Sequence, residues 1–382
     1  MIGGECKSVT EDMTNSWNGT TLPTILSNYK MEDVFNADEF GLFYQCTPNK
    51  TYELKGEKCS GGKNSKLRLT GMTAANATGE KLPMMVIGKS KKPRCFKNVK
   101  RLPCDYKSQK KSWMDSIIFE QWVRKLDRKF GAEKRKIALI IDNCPAHPSI
   151  QGLRNIQLIF LPPNTTSVLQ PMDKGVICSL KAHYRGKVVR KICRAIEKKE
   201  SLPKLSILEG MKILADSWNA VSQTTVVNCF KKAGITPQAQ LAALDDTDDP
   251  FKDLEDSLEQ LRKSDSSMVP EDVTATSLVG IDDEVVSTAP EISQADIVAM
   301  VRDDANEESE NEIEEIAEEM VGIVYEKPSR SNVETAFDVL KDNAMYSEEG
   351  LEMNKLISQL ESLCENERFR SLRQGDIRDF FH

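Results

Sequence analysis

KIALIIDNCPAHP, residues 136–148, is a nearly continuous apolar run that ends on an aspartate and breaks into a proline-bounded loop. Ile137 to Ile141 show no polar alternation, the pattern of a strand covered on both faces. A second run, IQLIFLPP (156–163), has the same character and stops at two prolines, which cannot continue a sheet ladder. Upstream, VFNADEFGLFY (34–44), LRLTGMTAAN (67–76) and LPMMVIGK (82–89) read as three strands. Asp38 interrupts the first, and the turn former ATGEK separates the last two. Short polar connections make them an antiparallel meander.

Helical spacing appears between and after these strands. Behind the candidate caps Ser112 and Asp115, residues Ile118, Trp122, Leu126 and Phe130 recur every four positions, with Gly131 at the expected stop. From Asp173 to about Lys199 the repeat returns in Val176, Leu180, Tyr184, Val188, Ile192 and Ile196. The order β-β-β-α-β-β-α predicts an α/β fold, one mixed sheet with flanking helices. Ile207, Met211, Leu214, Trp218 and Val221, then Thr224–Ala233, add a small helical appendix. We therefore expect a polar N-terminal remnant (1–30), a core (31–200), the appendix (201–240), an acidic and mostly disordered linker (241–330) and a C-terminal helical segment (331–382). In the linker, Ile313, Ile316 and Met320 mark one short helix. In the last segment, Met353, Leu356, Leu360 and Leu363 mark a partner-binding or dimerising helix.

Charge divides the chain. Residues 1–240 carry 40 basic and 21 acidic side chains, whereas residues 241–382 carry 12 and 38. The first part suits a polyanion and the second repels one. No run of 18 apolar residues is present, and the N-terminus lacks a signal-peptide core, so a membrane span and secretion are not expected. Ten cysteines without a C-x-x-C predict neither a disulfide framework nor a structural zinc site, and Cys144 and His147 form a lone pair.

Three carboxylates stand out in the basic part. Asp142 sits where a buried strand emerges into a loop, Asp38 lies in the first strand, and Asp173 opens a long helix after the rigid LPPNTTSVLQP loop. Taken singly, Asp142 is equally a turn former, Asp173 a helix cap and Asp38 a bulge residue. Taken together, strands holding Asp38 and Asp142 can lie side by side, with Asp173 reaching the same point. Such a cluster repels itself and calls for a hard cation, Mg²⁺ or Mn²⁺, of the kind used in two-metal phosphodiester chemistry. Residues 51–200, with 33 basic against 12 acidic side chains, make a bed for DNA phosphates. The phosphate-contacting candidates are Lys63, Lys66, Arg68, Lys174, Lys181 and Arg185.

NADEFGLFY (36–44), GKNSKLRLTGMTAANATGEKLPMMVIGKSKKPRCF (62–96), IDNCPAHP (141–148), LPPNTTSVLQPMDKGVI (161–177) and DSWNAVSQTTVVNCFKKAGI (216–235) together resemble the pogo/Tigger class of DDE transposases. That class includes Tigger transposable element-derived proteins, Jerky proteins and centromere protein B. The resemblance implies an RNase H-like core in a nuclear, DNA-binding protein derived from a transposase or endonuclease. It places the family's three metal-holding, catalytic aspartates on Asp38, Asp142 and Asp173, the last two separated by 30 residues. Glu39, Asn143 and His147 are then candidates for orienting groups, His147 being equally a loop histidine bonded to backbone. The family's Asp-Glu-Thr-Gly reads Asp-Glu-Phe-Gly here, with Phe40 two residues from the first carboxylate. Its paired helix-turn-helix domains do not fit in the 30 residues before the core, which reads as a truncated copy, an incomplete gene model or the loss of specific DNA binding. The rival functions are a non-catalytic chromatin or transcriptional adaptor and an inactive relic. Protein partners through the acidic region and C-terminal helix, and a homo-oligomer, are expected as candidates.

Overall fold

The computed structural model of the chain describes residues 11–48, 67–235, 249–283, 287–288, 328–347 and 349–371. Six strands form one sheet: β1 (Val34–Phe43), β2 (Arg68–Asn76), β3 (Met85–Gly88), β4 (Asp105–Ser108), β5 (Ile137–Ile141) and β6 (Ile156–Phe160), in the order β4-β3-β2-β1-β5-β6. β1, β2 and β3 pair antiparallel, whereas β5 and β6 run parallel to β1. This is the RNase H-like arrangement, a meander continued by parallel strands, with β4 added in parallel at the outer edge of β3. β5 is buried at every position, as its unbroken apolar run predicts. Asp38 does not interrupt β1, which is continuous through it.

Helix α1 (Ser116–Ala132) covers one face through Ile118, Phe119, Trp122, Val123, Leu126 and Phe130. Its cap is Asp115, whose side chain accepts from Ile118 N at 2.9 Å; Gly131 lies inside the last turn, and Ser112 plays no capping part. Helix α2 (Ile177–Glu197) follows a wide turn at Met172–Val176, and α3 (Ile207–Ala220) and α4 (Gln223–Lys232) follow it in turn. The turn is possible because Gly175 adopts φ 140°, a backbone conformation closed to most side chains.

The acidic stretch holds more structure than its charge suggests. Pro250–Ser264 forms α5 and Ala275–Val279 forms α6. Leu254, Leu258 and Leu261 are fully buried, with α5 lying along α2. Asp282 continues the attachment: it accepts from Phe43 N at 2.7 Å and pairs with the buried Arg185 guanidinium. The expectation of a mostly disordered linker therefore fails over residues 249–283. The apolar stripe at i, i+4 and i+7 outweighs local acidity once α2 offers a partner. The short helix expected around Ile313 lies outside the described residues.

Two units divide the chain, Met1–Val324 and Tyr325–His382. Within the second, Arg330–Ala344 and Gly350–Ser371 are helices, joined around Phe337, Ala344 and Ile357. Met353 packs against that small cluster, while Leu356, Leu360 and Leu363 are exposed. No helix among the described residues is long and apolar enough to cross a membrane.

Candidate active site

Pairing register decides where the aspartates fall. Val34, Phe35 and Asn36 of β1 stand opposite Ala138, Leu139 and Ile140 of β5. Continued past the last pair, that register carries Asp38 of β1 toward Asp142, the residue that follows β5. Asn36 brings in the third element. Fully buried, it donates from Nδ2 to Ile140 O at 3.0 Å and accepts at Oδ1 from Met172 N at 3.0 Å. β1 and β5 are thereby tied to the turn that carries Asp173. From β2, Thr73 donates through Oγ1 to Asp38 O at 3.2 Å and touches Met172 Sδ at 3.9 Å.

The electrostatics report the convergence. The Asp38 carboxyl is pushed well above the usual carboxylate range, first by burial and then by the charges of Asp173, Asp142 and Glu39. The buried Gln170 side-chain amide lies close enough to oppose that shift. Three acidic neighbours and one neutral amide thus surround Asp38. Asp173 itself is exposed and Asp142 half-buried, so the cluster opens to solvent on their side.

Glu39 points to the opposite face of the sheet and meets His147 there. His147 Nε2 stands 3.0 Å from Glu39 Oε1, and Nδ1 stands 2.6 Å from Asp142 Oδ1. Both His147 and Glu39 are buried, and the imidazole lies against Phe119 with centroids 4.2 Å apart. Burial by itself would lower the His147 pKa. The Glu39 charge, with hydrogen bonds to Asp142, Cys144 and Glu39, outweighs burial and holds the ring protonated far above its ordinary range. His147 therefore lies between two carboxylates, and its Nδ1 also meets the backbone Asp142 O at 3.4 Å, the contact expected of a loop histidine. Asn143 is exposed beside them.

Phe40 packs across onto β2. Its ring lies over Gly71, the residue opposite it on β2, so closely that a Cβ at position 71 would stand 2.4 Å from Phe40 Cζ. The ring supplies the packing that the glycine lacks. Phe40→Thr should accordingly destabilise the domain by about 2–4 kcal/mol in chemical denaturation, on the scale of emptying an aromatic core site. A variant as stable as the parent would place the ring elsewhere.

The six expected phosphate contacts divide. Lys63 and Lys66 lie outside the described residues. Arg68 is half-exposed at the start of β2, bonded to Lys111 O and stacked 5.3 Å from the Trp113 ring centroid. Lys174, beside Asp173, is half-exposed. The structure overturns the other two as open phosphate contacts. Arg185 is buried against Asp282 and donates to Phe43 O at 2.9 Å, and the buried Lys181 pairs with Asp283 at 3.3 Å. Their partners come from the acidic stretch, which sequence reading treated as detached. Asn36, Thr73 and Gln170 were missed altogether. Asn36 carried a usable signal, a polar residue inside an apolar strand two positions before Asp38.

Residues 66–230 match the family model of the DDE superfamily endonuclease. Tigger transposable element-derived protein 4 of Mus musculus is 40% identical over 231 residues, covering 60% of this chain and 45% of its own length. Major centromere autoantigen B of Homo sapiens is 34% identical over 218 residues, covering 56% of this chain and 35% of that protein. The Homo sapiens Jerky protein homolog is 42% identical over 157 residues, 38% of this chain and 28% of the relative. The chain thus spans less than half the length of these relatives. Among solved structures, the catalytic domain of Mos1 mariner transposase aligns with a TM-score of 0.32 and 13% identity, over 59% of this chain and 90% of that one.

Proposed function

We propose that this chain, which carries a DDE superfamily endonuclease domain of the transposase-derived kind over residues 66–230, binds DNA in the nucleus and cleaves its phosphodiester backbone at Asp38, Asp142 and Asp173. The observation that carries this reading is the half-buried Asp38 carboxyl in β1, raised by desolvation and then by the charges of Asp173, Asp142 and Glu39. A set of hard oxygen donors that raise one another's pKa values fits Mg²⁺ or Mn²⁺. Asp38, Asp142 and Asp173 would hold the ions. When bound, divalent metal supplies activation of the attacking hydroxyl and charge stabilisation at the departing oxygen.

The chain's own residues prepare the site. Asn36 fixes the turn bearing Asp173 to the two strands bearing the other aspartates. His147, anchored by Glu39, holds one oxygen of Asp142. Arg68 and Lys174 offer positive charge to the nucleic-acid backbone, a sequence-independent attraction that weakens with salt.

Nicking of supercoiled plasmid by the full chain tests the assignment. Relaxed circles should appear with Mn²⁺ or Mg²⁺ and be absent in chelator. The variant carrying Asp→Asn at positions 38, 142 and 173 should yield none. Metal-dependent cleavage surviving all three changes would overturn the site. Gel shifts without any nicking by the parent chain would support the adaptor reading instead.

A further inference from the structure

We infer that Asp142, Cys144 and His147 form a second cation site of different chemistry, one that takes Zn²⁺ through Asp142 Oδ1, the Cys144 thiolate and His147 Nδ1. The three ligand atoms already lie within 4.8 Å of one another. A four-coordinate zinc with bonds of about 2.0–2.3 Å sets its ligands roughly 3.3–3.7 Å apart. The loop therefore needs only to relax by about an ångström, opening the 2.6 Å contact between Nδ1 and Oδ1 and closing the remaining gaps.

Loop geometry gathers these groups. Cys144 to His147 is a tight turn closed by His147 N donating to Cys144 O at 3.0 Å, with Pro145 at its second position. The turn folds the thiol and the imidazole back onto Asp142, at the end of β5. On the far side of the ring, Glu39 accepts from Nε2 at 3.0 Å from within the core. Zinc-binding histidines use such a partner: a carboxylate on one nitrogen fixes the ring and raises the basicity of the other. Glu39 is thus placed to orient the ring for a metal on Nδ1.

Donor type separates this site from the aspartate cluster. Sulfur, nitrogen and one carboxylate oxygen select a borderline-soft ion, whereas three carboxylates select a hard one. Asp142 belongs to both, giving Oδ1 to the loop and leaving its other oxygen for the cluster. Zn²⁺ on the loop would draw Asp142 toward Cys144 and His147 and set a positive charge beside the hard-metal site. Low zinc should consequently inhibit metal-dependent nicking, an effect that rests on the proposed function, whereas binding does not.

Cobalt(II) reports the site in the full, metal-free chain without DNA. Co²⁺ should bind once per chain and give a thiolate-to-cobalt charge-transfer band with intense visible bands of four-coordinate geometry. Zn²⁺ should bleach them, and a large excess of Mg²⁺ should not. Cys144→Ser, a near-isosteric change in a half-buried side chain, should remove the charge-transfer band while the circular dichroism stays that of the parent. Glu39→Gln should weaken affinity by about 10–100-fold and keep the band, the expected cost of altering a carboxylate behind a metal-bound histidine. A band that persists in Cys144→Ser would overturn the assignment, since the chain has ten cysteines. So would the absence of Co²⁺ and Zn²⁺ binding at micromolar concentrations by the folded parent, which would leave His147 as an ion-pair bridge alone. Zinc binding in a chain that never nicks DNA would uphold this site while the proposed function failed.

Discussion

Asp142→Asn should lower the metal-dependent nicking rate by about 10³-fold or more, on the scale of losing a charge-stabilising group from a preorganised site. The substitution is informative because it spares the framework. The backbone contact between His147 Nδ1 and the carbonyl of residue 142, 3.4 Å in the parent, is untouched by the change, so the strand end and the loop stay in register. Only the negative charge that would hold metal is lost. DNA binding in chelator should persist or tighten slightly, because one repulsive charge has left a basic surface. Single-turnover nicking, filter binding in chelator and a thermal midpoint separate these effects. A nicking rate within tenfold of the parent, with the fold intact, would remove Asp142 from the chemistry.

Much of this architecture was legible because periodicity and burial coincide. Ile137–Ile141 reads as a two-sided strand and is one, and the four-residue spacing from Ile118 to Phe130 is the buried stripe of its helix. β4 was not legible: Asp105–Ser108 reads DYKS, four half-exposed edge residues with neither an apolar run nor alternation. α5 failed for the opposite reason. Leu254, Leu258 and Leu261 spell a helical stripe, but ten acids in residues 249–283 suggested a solvated chain. Stripe and charge are compatible when one face packs and the other meets water. In the site, residue types identified the three aspartates, but register could not be read. That Asp38 lines up with Asp142 follows from pairing between segments about a hundred residues apart, and local sequence carries no trace of it. The same limit hid Asp282. One acid among many gives no sign of being the counter-ion that a distant arginine requires.

That counter-ion supports the second large effect. Arg185→Met should destabilise the domain by about 3–5 kcal/mol, the usual cost of leaving one member of a buried ion pair without its partner. Arg185 and Asp282 are 1% and 2% exposed, so water cannot solvate the carboxylate left behind. Asp282→Leu should cost a similar amount by stranding the guanidinium. Combining the two removes both buried charges, so the double variant should be destabilised by less than the sum, with a coupling of about 2 kcal/mol or more. Recovery should stay incomplete. Phe43 N loses its 2.7 Å acceptor and Phe43 O its 2.9 Å donor, and each stranded backbone group costs roughly 1–3 kcal/mol. Denaturant unfolding of the parent, both single variants and the double variant measures all of these terms in one cycle. If residues 249–283 were a loose acidic linker, Asp282→Leu would change stability no more than a surface substitution, by about 0.5 kcal/mol, and the cycle would show no coupling. A strong coupling instead makes this stretch part of the domain that presents Asp38. Truncation near residue 240 would then strip α2 of its apolar cover and Arg185 of its counter-ion, so weak DNA binding by such a fragment would report unfolding before it reported lost charge.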